Sequence, residues 1–167
     1  MSELIRPILL FIVITLSLVA FFVVLNALFP QRLAKTSALA DTMPGRAFLV
    51  GLVNFLFFGA LITAFLGLND KFGGGLLVIP ALFFLTPLTI GLSFGLGGIT
   101  QLLGRRLVPQ KPELQRTIWG TLALGFGCLL PFVGWFGLLP YTALLGLGAF
   151  IISFFYRLPS PLTPLPR

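Results

Sequence analysis

Four long stretches without a charged side chain make up most of the chain: residues 7–31, 47–69, 72–104 and 117–156. A Lys, Arg or Asp at the centre of a bilayer-spanning helix costs about 2.5–3.5 kcal/mol, so charges mark where such helices stop. The first two runs each match one crossing of a hydrocarbon core about 30 Å thick, with some tilt. The third opens Phe-Gly-Gly-Gly-Leu-Leu-Val-Ile-Pro, in which three glycines oppose a helix. Its helix is expected from Pro80, a favourable first-turn position, to Gly104, with a kink at Pro87. Gly73 to Ile79 then read as an interfacial or re-entrant lead-in.

The fourth run holds 40 residues. At about 1.5 Å per residue, one helix of that length would be twice as long as the core is thick. Leu129 to Pro140, with two prolines and two glycines, therefore reads as the tip of a helical hairpin. Pro131 stops the first arm and Gly134 and Gly137 give backbone freedom. Trp135 anchors at the outer headgroup level, and Pro140 starts the second arm. The pattern predicts an all-α, polytopic transmembrane helical bundle with about five crossings. Three helices cover residues 7–29, 47–68 and 80–104, and the hairpin arms cover 117–135 and 138–156. Residues 1–157 form one transmembrane domain and 158–167 an exposed, proline-rich tail. A three-crossing version with a re-entrant last run is the alternative.

Composition agrees with the pattern. Hydrophobic residues make up 57% of the 167 and charged residues 9%, and the mean hydropathy is +1.09. So little charge could not cover the surface of a soluble domain. The 19 Phe against two Trp and two Tyr suit a surface that faces lipid. Residues 7–31 are too long for the apolar part of a cleaved leader, and "SALAD" at Ser37–Asp41 lies too far beyond them, so an uncleaved helix is expected.

The net charge of +7 points to anionic headgroups and not to nucleic acid, because the basic residues sit at segment ends. Arg32, Lys35, Arg46, Arg105, Arg106, Lys111, Arg116, Arg157 and Arg167 fall on one side of a five-crossing chain, and Arg6 and Lys71 on the other. That asymmetry predicts an outside N-terminus and a cytoplasmic C-terminus, in a bacterial inner membrane or an internal membrane such as a thylakoid. Arg105, Arg106, Lys111 and Arg116 are candidates for contact with lipid headgroups or a partner. Arg32 to Met43 forms a weak interfacial helix, with Leu33, Leu39 and Met43 dipping into lipid and Lys35 outward.

Catalysis has little to draw on. The chain has no His and one Cys, Cys128, in an apolar run; its acids are Glu3, Asp41, Asp70 and Glu113, all at segment ends. A general acid–base pair, an activated nucleophile and a metal site all lack their residues. The expectation is a non-enzymatic protein without metal or cofactor. Asn26, Asn54, Thr63, Ser93, Thr100 and Gln101 are the polar groups at membrane depth, and Asn54 is the one singled out to bond across helices. Gly91, Gly95 and Gly98 form a stripe on one face of the third helix, where another helix can approach backbone to backbone. Gly120, Gly127, Gly134, Gly137, Gly146 and Gly148 are its candidate receivers within the chain.

The first helix ends in "FPQRL", "MPGRAFLVGL" opens the second, an "IP" pair precedes the third, and the last hairpin carries "LLPFVGWFG" and "LLGLGAF". Over residues 29–156 this layout resembles a bacterial membrane domain often found fused behind the β-helical bactofilin (polymer-forming) module. The resemblance implies a membrane anchor or assembly domain and carries no catalytic residues. The functional expectation is an anchor, scaffold or assembly protein with a membrane-protein partner or a second copy of itself. An accessory subunit of a respiratory or photosynthetic complex comes second, and a small transporter or pore third.

Overall fold

Proline sets the helix boundaries. The computed structural model describes residues 2–72, 75–128 and 132–156, and its helices are α1 (Ser2–Leu28), α2 (Pro30–Thr42), α3 (Pro44–Phe72), α4 (Val78–Leu107), α5 (Glu113–Cys128) and α6 (Leu139–Phe155). Phe29, Met43 and Val108 leave the helical region with φ near −130°, and each precedes a proline. The proline ring clashes with the preceding residue's α conformation and ends the helix there. Pro30 and Pro44 then each open the next helix, where a missing N–H costs nothing. Gly75, at φ 65°, turns the chain from α3 toward α4. Gly73 and Gly74 lie outside the described residues. Pro87 sits inside an unbroken α4.

The fold is an all-α helical bundle, and among the described residues there is no strand. Among the described residues four helices are long and apolar enough to cross a membrane, Leu9–Leu28, Pro44–Asn69, Val78–Leu107 and Val133–Phe155, and of the five expected segments only α5 falls short of that length. With 16 residues α5 is about 24 Å long, short of the hydrocarbon core.

The hairpin tip also moves. The first arm ends at Cys128, not at residue 135, while the second, α6, begins at Leu139, close to the expected 138, with a π-helical turn Val133–Leu138 leading into it. Gly134, Trp135 and Gly137 lie in this turn, which runs straight into α6, and Pro140 lies in the first turn of α6. Pro131 is outside the described residues. The wide turn explains how the helix passes Pro140. Proline cannot donate to the carbonyl four residues back, and its ring collides with that carbonyl. Here the N–H of Leu139 reaches Gly134 O, five residues back, so the ladder is already loosened where the ring arrives.

The interior is built from small and polar residues. Leu39, Ala40, Ala47, Ile99, Leu145 and Ala149 form the buried cluster where α2, α3, α4 and α6 meet. Phe132, Phe136 and Phe155 are each at least 80% exposed, and large aliphatic side chains line the outside of α1 and α3. This arrangement fits lipid, which offers helices no hydrophobic reason to associate and leaves close packing to hold them.

Glycine supplies that packing. A Cβ on Gly95 would collide with the backbone of Gly146, and one on Gly51 or Gly148 with the facing α6 or α3 backbone. Gly104 and Gly120 bring α4 and α5 together in the same way. The predicted stripe is thus consumed inside the chain, although its members diverge: Gly91 and Gly95 face α6, and Gly98 faces Thr36 of α2.

The short α2 departs most from expectation. Leu33 and Leu39 do not dip into lipid; they are 0% and 1% exposed, and α2 packs on α4 and α6. The cause is again small residues, because Gly97 and Gly98 of α4 open the groove that Leu33 and Thr36 fill.

Gly95→Ala should lower the melting temperature in detergent, since overpacking typically costs about 1–3 kcal/mol. Gly59→Ala, whose Cβ would meet nothing within 4 Å, should leave stability unchanged or raise it by about 0.5–1 kcal/mol. Thermal unfolding of the two variants beside the parent checks the contrast.

Candidate functional site: a polar layer beside an apolar cleft

Three helices pool their polar side chains at one level of the bundle. Asn26 of α1 donates through Nδ2 to Thr117 Oγ1 of α5 at 3.0 Å. Gln101 of α4 donates through Nε2 to Asn26 Oδ1 at 3.4 Å. Thr117 passes its own proton to Glu113 O, and Thr121 donates to Thr117 O. All four side chains are buried, and Gln101 Oε1 is left without a partner. Burial makes the layer specific, because an amide withdrawn from water must find its donors and acceptors inside the protein.

Of the polar residues expected at depth, Asn26 and Gln101 bond across helices. Asn54 does not; its amide donates to Val50 O of its own helix at 2.8 Å, and Thr63 and Ser93 do the same with their own turns. Thr100 bonds to Gly97 O. Thr117 was missed, although Thr117 and Thr121, four apart on α5, mark a polar face in an apolar run.

The basic residues at the end of α4 have internal partners. Arg105 donates to Ser37 Oγ, Arg106 pairs with Asp41, and Arg116 donates to Pro109 O. They fasten α2 to α4 and shape the turn into α5. Lys111, the fourth predicted headgroup contact, is exposed.

Next to the polar layer lies a cleft of about 460 Å³. Phe11, Leu18 and Phe22 of α1 form one wall, Leu96 of α4 and Leu124 of α5 the floor, and Trp135 with Leu139 the other wall. Apart from the Trp135 indole, its lining residues with a polar side-chain atom are Thr15, Thr121, Thr142 and Cys128. Thr121 and Thr142 already donate to backbone carbonyls. Such a cleft has the size of a small-molecule site and the chemistry to hold a hydrocarbon. Among the described residues no group of His, Cys, Asp and Glu gathers to hold a metal ion.

Trp135 shares this cleft with Leu18 and Leu96, residues from the middle of their helices. Its place is therefore beside the interior of the bundle and not at the level of the helix ends, where an interfacial anchor was expected. The described part of α5 ends at Cys128 after 16 residues. Gly134 settles against the backbone of Gly127 and Cys128.

The depth of Trp135 can be measured with brominated lipids. With Trp119→Phe, the remaining Trp135 should be quenched best by bromines near the bilayer centre. With Trp135→Phe, the remaining Trp119, which lies near the start of α5, should be quenched best by bromines near the headgroups. The reverse order would return the tip to the surface.

Set beside protein-family models, curated proteins and solved structures, the chain matches none of them, so its function has to be read from the residues themselves.

Proposed function

We propose that the protein is a non-enzymatic integral-membrane anchor or scaffold that holds a membrane-protein partner or a second copy of itself. One observation carries the reading: α4 meets α5 and α6, and α6 meets α3, at glycines whose Cβ would strike the facing backbone. Helices in such contact cannot slide or part without losing the packing that holds them in lipid. A transporter needs two arrangements around a central site, and this interior is taken up by backbone. The resemblance to the membrane domain that follows bactofilin modules points the same way.

The same reading places the protein in a bacterial cytoplasmic membrane or an internal one such as a thylakoid, with the N-terminus outside and the loops 30–46 and 105–116 in the cytoplasm. Support comes from the contacts Arg106–Asp41 and Arg105–Ser37, which join the two basic segments at one end of the bundle. Both then face the more positive side, as the positive-inside bias requires.

Purified protein in sealed vesicles should pass K⁺, protons and small solutes no faster than protein-free vesicles. Protein-dependent flux through the parent chain would overturn the scaffold in favour of a pore. Orientation is checked in a Cys128→Ser background with a maleimide that cannot cross membranes. Intact cells should label Ser2→Cys and spare Gln110→Cys.

A further inference from the structure

A second recess lies where the first turns of α2 meet the last turn of α6, away from the cleft. Gln31, Arg32 and Lys35 of α2 and Ser153, Phe154 and Tyr156 of α6 enclose about 380 Å³. The guanidinium carbon of Arg32 stands 4.8 Å from the centroid of the Phe154 ring, a cation–π distance that holds its plane and leaves its N–H edge free. Ser153 spends its proton on Phe150 O. The donors facing the recess are thus two cations, an amide and a phenol, a set that answers phosphate oxygens.

Among the described residues nothing of opposite sign answers the two cations from within, and no carboxylate lines the recess. Asp41, on the same helix, is paired with Arg106, and Glu113 opens α5, which packs on α4 and α1. Position adds to chemistry. The uncharged run 7–31, which covers most of α1 and reaches the first turn of α2, ends immediately before Arg32, so the recess is assigned to the edge of the hydrocarbon, where lipid phosphates are found. An aromatic track leaves it: Phe154 meets Phe150 edge-on, Phe150 stacks on Phe94 at 5.1 Å, and Phe94 meets Phe29 at 5.2 Å.

We propose that this recess binds an anionic phospholipid. Arg32, Lys35, Gln31 and Tyr156 hold its phosphate, and one acyl chain follows Phe154, Phe150, Phe94 and Phe29. The track distinguishes a lipid from free phosphate, which has no use for it. The site is separate from the basic end of α4, whose arginines are held by Ser37, Asp41 and Pro109 O.

The test uses the full chain in zwitterionic nanodiscs, with phosphatidylglycerol titrated in and retention read by native mass spectrometry. Phosphatidylglycerol should bind several-fold more tightly than added phosphatidylcholine. Arg32→Gln with Lys35→Gln should weaken it about tenfold or more, as expected for two charges lost beside an anionic headgroup. Lys111→Gln should leave affinity within about twofold. The charge-keeping pair Arg32→Lys with Lys35→Arg should retain most of the binding and separates lost chemistry from lost folding. An equal loss in Lys111→Gln would mean general surface attraction and overturn the site. So would an unaffected neutral pair, a charge-keeping pair as weak as the neutral one, or displacement of the lipid by millimolar inorganic phosphate.

Discussion

The bundle depends on backbone meeting backbone at glycine. In water, burying apolar surface would drive its helices together at about 25 cal/mol per Å². In lipid that term vanishes, because leucine in a helix contact is no better off than leucine against an acyl chain. Dispersion between close-packed atoms remains, and it falls off steeply with separation. Gly51 with Gly148, Gly95 with Gly146 and Gly104 with Gly120 are the points of closest approach. Around them Ala47, Ala81 and Ala149 are buried together with Leu33, Leu39, Leu145 and Leu147, while most Phe side chains are on the outside or only partly covered.

That constraint places the polar residues as well. Helices drawn close by glycine leave narrow gaps, which threonine and serine fill while bonding to carbonyls of their own turns. Thr36 is fully buried and bonds to Arg32 O, and Thr121 does the same toward Thr117. The amides of Asn26 and Gln101 are too long for that and reach across to other helices. One end of the bundle is therefore tied by hydrogen bonds and the Arg106–Asp41 pair. Toward the other end α1 meets α5 through side chains, Phe11 with Phe126 and Thr15 with Gly125, and the apolar cleft lies there. The same helix thus serves as a fixed strut at Asn26 and as a cleft wall at Phe11.

The sequence made the medium, the helical class and most helix ends legible, because each follows from local chemistry: charge cost for the spans, proline sterics for the stops. The stripe Gly91, Gly95 and Gly98 was legible from its spacing, and Gly146 was among its candidate receivers. Other features depended on what lay opposite. Arg32 to Met43 looked interfacial because Leu33, Leu39 and Met43 opposite an outward Lys35 give the same pattern whether the apolar face meets lipid or a glycine groove. Asn54 looked like the bridging amide, yet no acceptor on another helix stands opposite it. Pro140 was legible as the start of the last arm and lies in the first turn of α6, but the π turn before it leaves no composition of its own. The Arg32 and Phe154 recess joins residues more than a hundred positions apart, and no periodicity could pair them.

The π turn at Val133–Leu138 also fixes a phase. A helix turns about 100° per residue, and a π turn holds one residue more than an α turn. The faces on either side of it are therefore offset by about that angle from those of a regular helix. Gly134, at the start of the π turn, looks at α5; Gly146 and Gly148, after it, look at α4 and α3. The run from Val133 to Phe155 thus meets α5, α4 and α3 in turn, with the π turn setting the angle between the first contact and the later ones. A one-residue deletion anywhere in Val133–Leu138 would leave every side chain except one in place chemically and still rotate the two ends out of register. The length of this turn is therefore under tighter constraint than the identity of the residues in it.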